Sequence, residues 1–178
     1  MLFPSHLLLG RTLAKRSPAL ANHPIRKWIF LLGNVVPDLI PLTYFMGFDS
    51  PRVMGGHCLP YSEPKISRKL KKGLSVGLHS AGDAFRLGLL THYLADSFTY
   101  QHTTKQRVKH KEHENYEKKL KEILPKFLSV ADQTEPASSP EYLKEARQQF
   151  QAIPPSPERD AEWIVRVCTA VFDAIASI

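Results

Sequence analysis

From Glu158 to about Ala176 the residues Trp163, Ile164, Val167, Val171, Phe172 and Ile175 return at spacings of one, three and four. Apolar residues at that period cover most of the circumference of one helix. Such a helix is soluble only when other helices enclose it, so the segment predicts the centre of a helical core. Strand signals elsewhere are weak and helical patterns dominate. The expectation is an all-α fold, with residues 1–178 forming a single helical domain. A chain of 178 residues encloses enough surface to fold without a disulfide or metal as a prerequisite. Hydrophobic residues at 43% and charged residues at 23% exclude global disorder and a multi-pass membrane protein. Cys58 and Cys168 are too few for a disulfide framework.

The remaining helices are read from their periods and punctuation. A first helix is expected from about Ser5 to Lys15, with Ser5 as its cap. A second starts near Pro24 and reaches about Leu32, after which Gly33-Asn34 is expected to loosen the chain. A short helical stretch from Pro41 to Phe45 follows, then a loop rich in Gly and Pro over residues 46–64. Long helices are expected from near Ser80 to Tyr100 and from Lys105 to Leu128, with Pro125 as a point for a kink. A short one is expected from Glu141 to Phe150, before the break at Pro154-Pro155-Ser156-Pro157.

The net charge of +7 favours an anionic partner without choosing among phosphate, nucleic acid and lipid. Five of the eight residues from Lys65 to Lys72 are basic, which suits either a solvated helix face or a patch toward phosphate or lipid headgroups. The N-terminus does not read as a signal peptide, because Arg11, Lys15 and Arg16 follow the apolar run instead of preceding it. Residues 28–45 approach membrane length but contain Asp38, Pro37 and Pro41, so a buried core segment with one functional acid is expected, and no integral membrane segment. A cytoplasmic protein is the resulting expectation.

Eight histidines carry the chemical signal. His92 and Asp96 stand four apart on a predicted helix among Leu89, Leu90, Leu94 and Phe98, so both face one side. A histidine alone on an apolar face is more often a satisfied core residue. An aspartate beside it adds a carboxylate that needs a partner or a metal when buried. On the next helix His113, Tyr116, Glu117, Leu120, Leu124 and Phe127 share one stripe, which makes His113 and Glu117 ligand candidates, with a core-edge ion pair as the alternative. His110 is expected at the surface or behind the ligands. Asp38 sits in an apolar run, His57 follows Gly55-Gly56, and His6 lies early in the first helix. His23 and His79 have no comparable context. Asp38, His57, His92 and Asp96 could complete one metal site, and His102, His113 and Glu117 could give three ligands of a second with an open position. Nitrogen and carboxylate donors without cysteine suit a catalytic zinc. Two such cations can activate a water and clamp the oxygens of a phosphodiester.

In this order the motifs resemble the zinc-dependent phospholipase C family, whose relatives include the S1/P1-type nucleases. The matching features are His6, Gly33-x-x-x-Pro37-Asp38, His57, His92-x-x-x-Asp96 followed by His102, and His113-x-x-Tyr116-Glu117. The resemblance covers roughly residues 5–125. It implies the all-α fold of the phospholipase C and P1 nuclease type, a trinuclear zinc site and phosphodiester hydrolysis. It also implies two zinc ions held by Asp38, His57, His92 and Asp96 and by His102, His113 and Glu117, with His6 and a bridging Asp96 at a third. Secreted members bind that third zinc through the amine and carbonyl of an N-terminal tryptophan. Here the chain begins Met1-Leu2-Phe3, so the expectation is two zinc ions, with the third absent, weak or held by Met1.

The leading expectation is a zinc-dependent phosphodiesterase of phospholipase C type, with Asp38 either ligating metal or orienting the attacking water. Its substrate would be a phosphodiester, with phospholipid and a peripheral membrane contact among the options. A nuclease-like phosphoesterase, with Tyr44, Phe45, Phe48 and Tyr61 as stacking candidates, and a helical metal-binding protein without turnover are the alternatives.

Overall fold

The structure, a computed structural model, describes residues 1–40, 59–103, 110–129, 136–137 and 139–178. Among the described residues every regular element is helical: α1 (Phe3–Arg16), α2 (Pro18–Ala21), α3 (Pro24–Leu39), α4 (Leu59–Val76), α5 (Ala81–Ser97), α6 (Tyr100–Thr103), α7 (His110–Leu128), α8 (Pro140–Ala152) and α9 (Pro157–Ala176). The all-α expectation holds.

Helix α5 starts where the sequence says it should. Ser80 Oγ accepts the Asp83 N–H at 3.1 Å, and the Asp83 carboxylate accepts the Ser80 N–H at 2.8 Å. These reciprocal bonds satisfy two orphan donors of the first turn. From Leu90 to Ser97 every side chain is buried, because α3, α4 and α9 all pack against α5. Helix α9 is the other central element, with Ile164, Val167 and Ala170 fully enclosed. Phe98, Phe150 and Trp163 lock α8 and α9 to the end of α5 through an edge contact of 5.3 Å between the phenyl rings and a stack of 6.2 Å.

The crossing of α3 over α5 is set by two glycines. A Cβ on Gly33 would overlap the Phe85 carbonyl, and one on Gly88 would stand 2.8 Å from the Asn34 nitrogen. With no side chain at either position the two backbones meet, and the last two turns of α3 lie over the middle of α5.

Several expectations need correction. Helix α1 begins two residues before Ser5, which is buried inside it and caps nothing. Gly33-Asn34 does not loosen the chain; α3 continues through it to Leu39, with Pro37 inside the helix. The apolar run from Trp28 is not a buried segment throughout: Trp28, Leu32, Leu39 and Ile40 are exposed. Helix α4 begins at Leu59, inside the expected loop. The Pro41–Phe45 stretch, Phe48, His57 and Cys58 lie outside the described residues.

Candidate metal centre

The site forms where the N-terminus, α3, α5, α6 and α7 converge. His92 and Asp96, one turn apart on α5, are 0% and 1% exposed. His92 Nδ1 lies 3.0 Å from the Asn34 carbonyl oxygen. That oxygen can only accept, so Nδ1 carries a proton and Nε2 is the ring nitrogen turned to the carboxylates. Asn34 acts twice here, since its Nδ2 donates to the His6 carbonyl at 2.5 Å and ties α1 to α3. The His6 ring stacks on His92 with centroids 3.9 Å apart.

These contacts gather four donors. His6 Nε2 is 3.2 Å from Asp96 Oδ1 and 3.9 Å from Asp38 Oδ2. His92 Nε2 is 3.3 Å from Asp96 Oδ2 and 3.8 Å from Asp38 Oδ1. The second group lies on α6 and α7, where Glu117 Oε1 is 3.5 Å from His102 Nε2 and 3.3 Å from His113 Nε2. The Met1 ammonium joins the groups, at 2.7 Å from Asp96 Oδ1, 3.0 Å from Glu117 Oε1 and 3.2 Å from His102 Nε2.

The electrostatics follow from burial and these neighbours. Burial opposes charge on the Met1 amine, but Asp96 and Glu117 outweigh it and push the group up to about 11. Burial, followed by the neighbouring His92, pushes His6 down to about 3, so its imidazole is neutral. Burial also lowers His102, with the Met1 ammonium adding to the effect. Burial would raise Asp96 and Glu117, yet the Met1 ammonium and the surrounding histidines hold both well below the usual carboxylate range. Two neutral imidazoles facing ionised carboxylates are the protonation states a cation requires.

Zinc fits these residues. Around a tetrahedral zinc with bonds of about 2.05 Å, neighbouring donors stand about 3.3 Å apart, and the donor separations in the two groups run from 3.2 to 3.9 Å. His6 is fully buried, its Nδ1 makes no hydrogen bond, and its Nε2 faces only the Asp96 and Asp38 carboxylates. An imidazole buried in that condition is costly unless a ligand uses its lone pair. The donors are imidazole and carboxylate without thiolate, which suits a zinc that performs chemistry.

Among the candidates read from sequence, His6, Asp38 and His92 come together, and so do His102, His113 and Glu117. Asp96 lies between the groups. His6 stands with Asp38 and His92 and is also 3.2 Å from Asp96, the pairing that the resemblance implies. His113 is more open than its stripe suggested, at 36%. His57 and the side chain of His110 lie outside the described residues.

Sequence reasoning does not pick out two participants. Asn34 is expected there only to loosen the chain with Gly33. Asp160, on the helix expected at the centre of the core, is fully enclosed and accepts the Tyr100 N–H at 2.6 Å, the Tyr116 hydroxyl at 2.7 Å and a bond from Arg159 Nη2 at 2.6 Å. One carboxylate thereby fixes to α9 both helices that carry the second donor group. Its cue was an acid directly after Arg159 at the start of an apolar helix.

No helix among the described residues is long and apolar enough to cross a membrane. No curated protein and no solved structure matches the chain at a significant level. The sequence profile described as "Zinc dependent phospholipase C" matches residues 5–178. With its helical fold and its histidine and carboxylate donors at zinc-compatible spacing, the chain belongs to the zinc-dependent phospholipase C family.

Proposed function

We propose that the protein is a zinc-dependent phosphodiesterase of phospholipase C type acting on a phospholipid. The observation that carries the reading is the pair of histidine and carboxylate donor groups, with donor separations matched to zinc. His6, Asp38, His92 and Asp96 would hold zinc on one side and His102, His113 and Glu117 on the other. His57 is the further ligand that the family resemblance implies. The family resemblance implies a third position at His6 and a bridging Asp96, and the Met1 amine stands beside it, 2.7 Å from Asp96 Oδ1.

Zinc, when bound, supplies Lewis-acid polarisation of a phosphoryl oxygen and lowers the pKa of a coordinated water. The protein's own groups set the rest. The Asn34 carbonyl orients the His92 ring so that Nε2 faces the carboxylates, and burial keeps His6 neutral, so that its ring presents a lone pair. Asp38 is the carboxylate of its group that reaches solvent, at 12% against 1% for Asp96. It therefore faces incoming substrate and is placed to orient the attacking water and take its proton. Asp96 is enclosed and serves as the fixed anion.

Measuring zinc content and hydrolysis of a panel of phospholipid, nucleic acid and small phosphodiesters tests this. Asp96→Asn keeps the shape and removes the anion, and His92→Ala removes a donor. Both are expected to lose zinc and at least about 100-fold of turnover. Full zinc content and normal hydrolysis in Asp96→Asn would refute the zinc hydrolase reading. Cleavage of nucleic acid alone would refute the phospholipid assignment.

A further inference from the structure

The first 37 residues contain five Lys and Arg and no Asp or Glu. They form α1, α2 and all but the last two residues of α3. Helix α3 is apolar on two sides. One side, with Phe30, Leu31 and Val35, packs into the molecule. On the other, Ile25, Trp28, Leu32 and Leu39 are 74%, 66%, 50% and 58% exposed, and Ile40 beyond the helix end is 42% exposed. At 3.6 residues per turn those four side chains fall within about 60° of one another and run for about 21 Å. A continuous exposed apolar stripe on a soluble fold marks an interaction surface.

The stripe ends beside the site. Asp38, the solvent-reaching carboxylate of the first donor group, is followed directly by Leu39 and Ile40. Whatever covers the stripe therefore lies beside that carboxylate. Charge selects the occupant. Arg26 and Lys27 flank Ile25 and Trp28 on α3, and Arg11 and Lys15 are on α1, which packs beside it. A second copy docked on this face would bring cations against cations with no acid in the segment to pair them. An anionic bilayer supplies the missing charge and accepts the apolar ridge, and a tryptophan on such a ridge suits the headgroup level.

We infer that the Ile25–Leu39 stripe of α3 is a docking surface for an anionic phospholipid bilayer, on which the helix lies flat with the metal site at its C-terminal end. The inference takes its purpose from the phospholipase reading, but binding is measured without turnover. Trp163 is buried at 4%, so a change in tryptophan emission on adding vesicles reports Trp28. The full chain is mixed with phosphatidylcholine vesicles with and without phosphatidylserine, and sedimentation and emission are followed. Binding to the serine-containing vesicles is expected, with a blue shift, quenching by brominated acyl chains and weakening by salt. Ile25→Ser with Leu32→Ser keeps the probe and changes exposed positions only. It is expected to weaken vesicle binding at least about tenfold while leaving thermal unfolding and hydrolysis of a soluble phosphodiester unchanged.

Absence of binding overturns the inference, as does binding without a Trp28 shift, which would assign contact to another face such as the basic run of α4. A dimer in light scattering that the double substitution dissociates would make the stripe a self-association face instead. Vesicle binding with no hydrolysis of any phosphodiester leaves the docking surface standing and refutes the hydrolase reading alone.

Discussion

Gly88→Ala tests whether the crossing of α3 and α5 sets the geometry of the first donor group. A Cβ at Gly88 would meet the Asn34 nitrogen at 2.8 Å and the Gly33 carbonyl carbon at 3.0 Å, and would overlap the Phe30 carbonyl. All three obstacles are backbone, so no rotamer change relieves them and the helices must part by roughly 1 Å. Overpacking of this kind costs about 1–3 kcal/mol, and a backbone obstacle places it near the upper figure. Alanine's helical preference over glycine offsets up to about 1 kcal/mol. The expected net loss is about 2 kcal/mol.

The displacement reaches the site because His92 is one turn beyond Gly88, and the Asn34 carbonyl that it bonds at 3.0 Å is beside Gly33. Metal–ligand bonds tolerate about 0.2 Å, so zinc affinity at the first group should fall about 10- to 100-fold. Urea unfolding gives the stability, and competition with a chromophoric chelator gives the affinity. Gly82 on the same helix is the control: the nearest atom to its added Cβ is the far end of Arg86, at 3.5 Å. Gly82→Ala should stabilise by about 0.5–1 kcal/mol. A Gly88→Ala protein with the parent's urea midpoint and zinc affinity would refute the reasoning, and so would a Gly82→Ala protein destabilised as much as Gly88→Ala.

Asp160→Asn should destabilise by about 3 kcal/mol, because it leaves the Arg159 guanidinium, 6% exposed, without its anion. It should also weaken zinc at His102, His113 and Glu117 more than at His92, read by zinc titration of the variant against His92→Ala. Burial opposes ionisation of Asp83, but bonds from Ser80 and Arg86 bring its pKa below the unfolded 3.8. Its contribution is therefore complete above about pH 5 and is lost as pH falls below 3.8 through the folded-state value. Asp83→Ala should lower the melting temperature at neutral pH, by about 1 kcal/mol of stability, and show a flatter acid limb than the parent. Cys168 is 1% exposed and burial pushes its thiol up, so alkylation mapped by peptide mass spectrometry should leave it unmodified until the chain unfolds.

The helices were legible where period and punctuation agreed. Ser80 and Asp83 announce α5 with a capping pattern, and the apolar period from Trp163 to Ile175 announces α9. The errors arose where a local rule met a tertiary contact. Gly33 reads as a break because glycine is poor in a helix, yet here it is required by the approach of α5. The packing of two helices at that point more than offsets a local propensity of about 1 kcal/mol. The same crossing explains the misreading of Trp28 to Ile40. An apolar run of that length looks buried on both sides in a one-dimensional reading, whereas α5 covers only one face.

The site divides in a similar way. His92, Asp96, His113 and Glu117 were visible because each is a polar group at four-residue spacing on an apolar stripe, where burial is expensive without a partner. What the sequence did not display are the groups that orient those donors. Asn34 works through a backbone carbonyl, which every residue has. Asp160 contacts none of the candidate donors; it holds Tyr100 and Tyr116, which lie two residues before His102 and one before Glu117. A donor list can be read from spacing because helical geometry maps sequence distance onto space. The bonds that orient the list join α1 to α3, α3 to α5 and α9 to α6 and α7, so they exist only once the helices have packed. Substitutions at Asn34 and Asp160 should therefore alter zinc affinity without removing a single donor, whereas those at His92 or Asp96 remove one, and zinc titration separates the two classes.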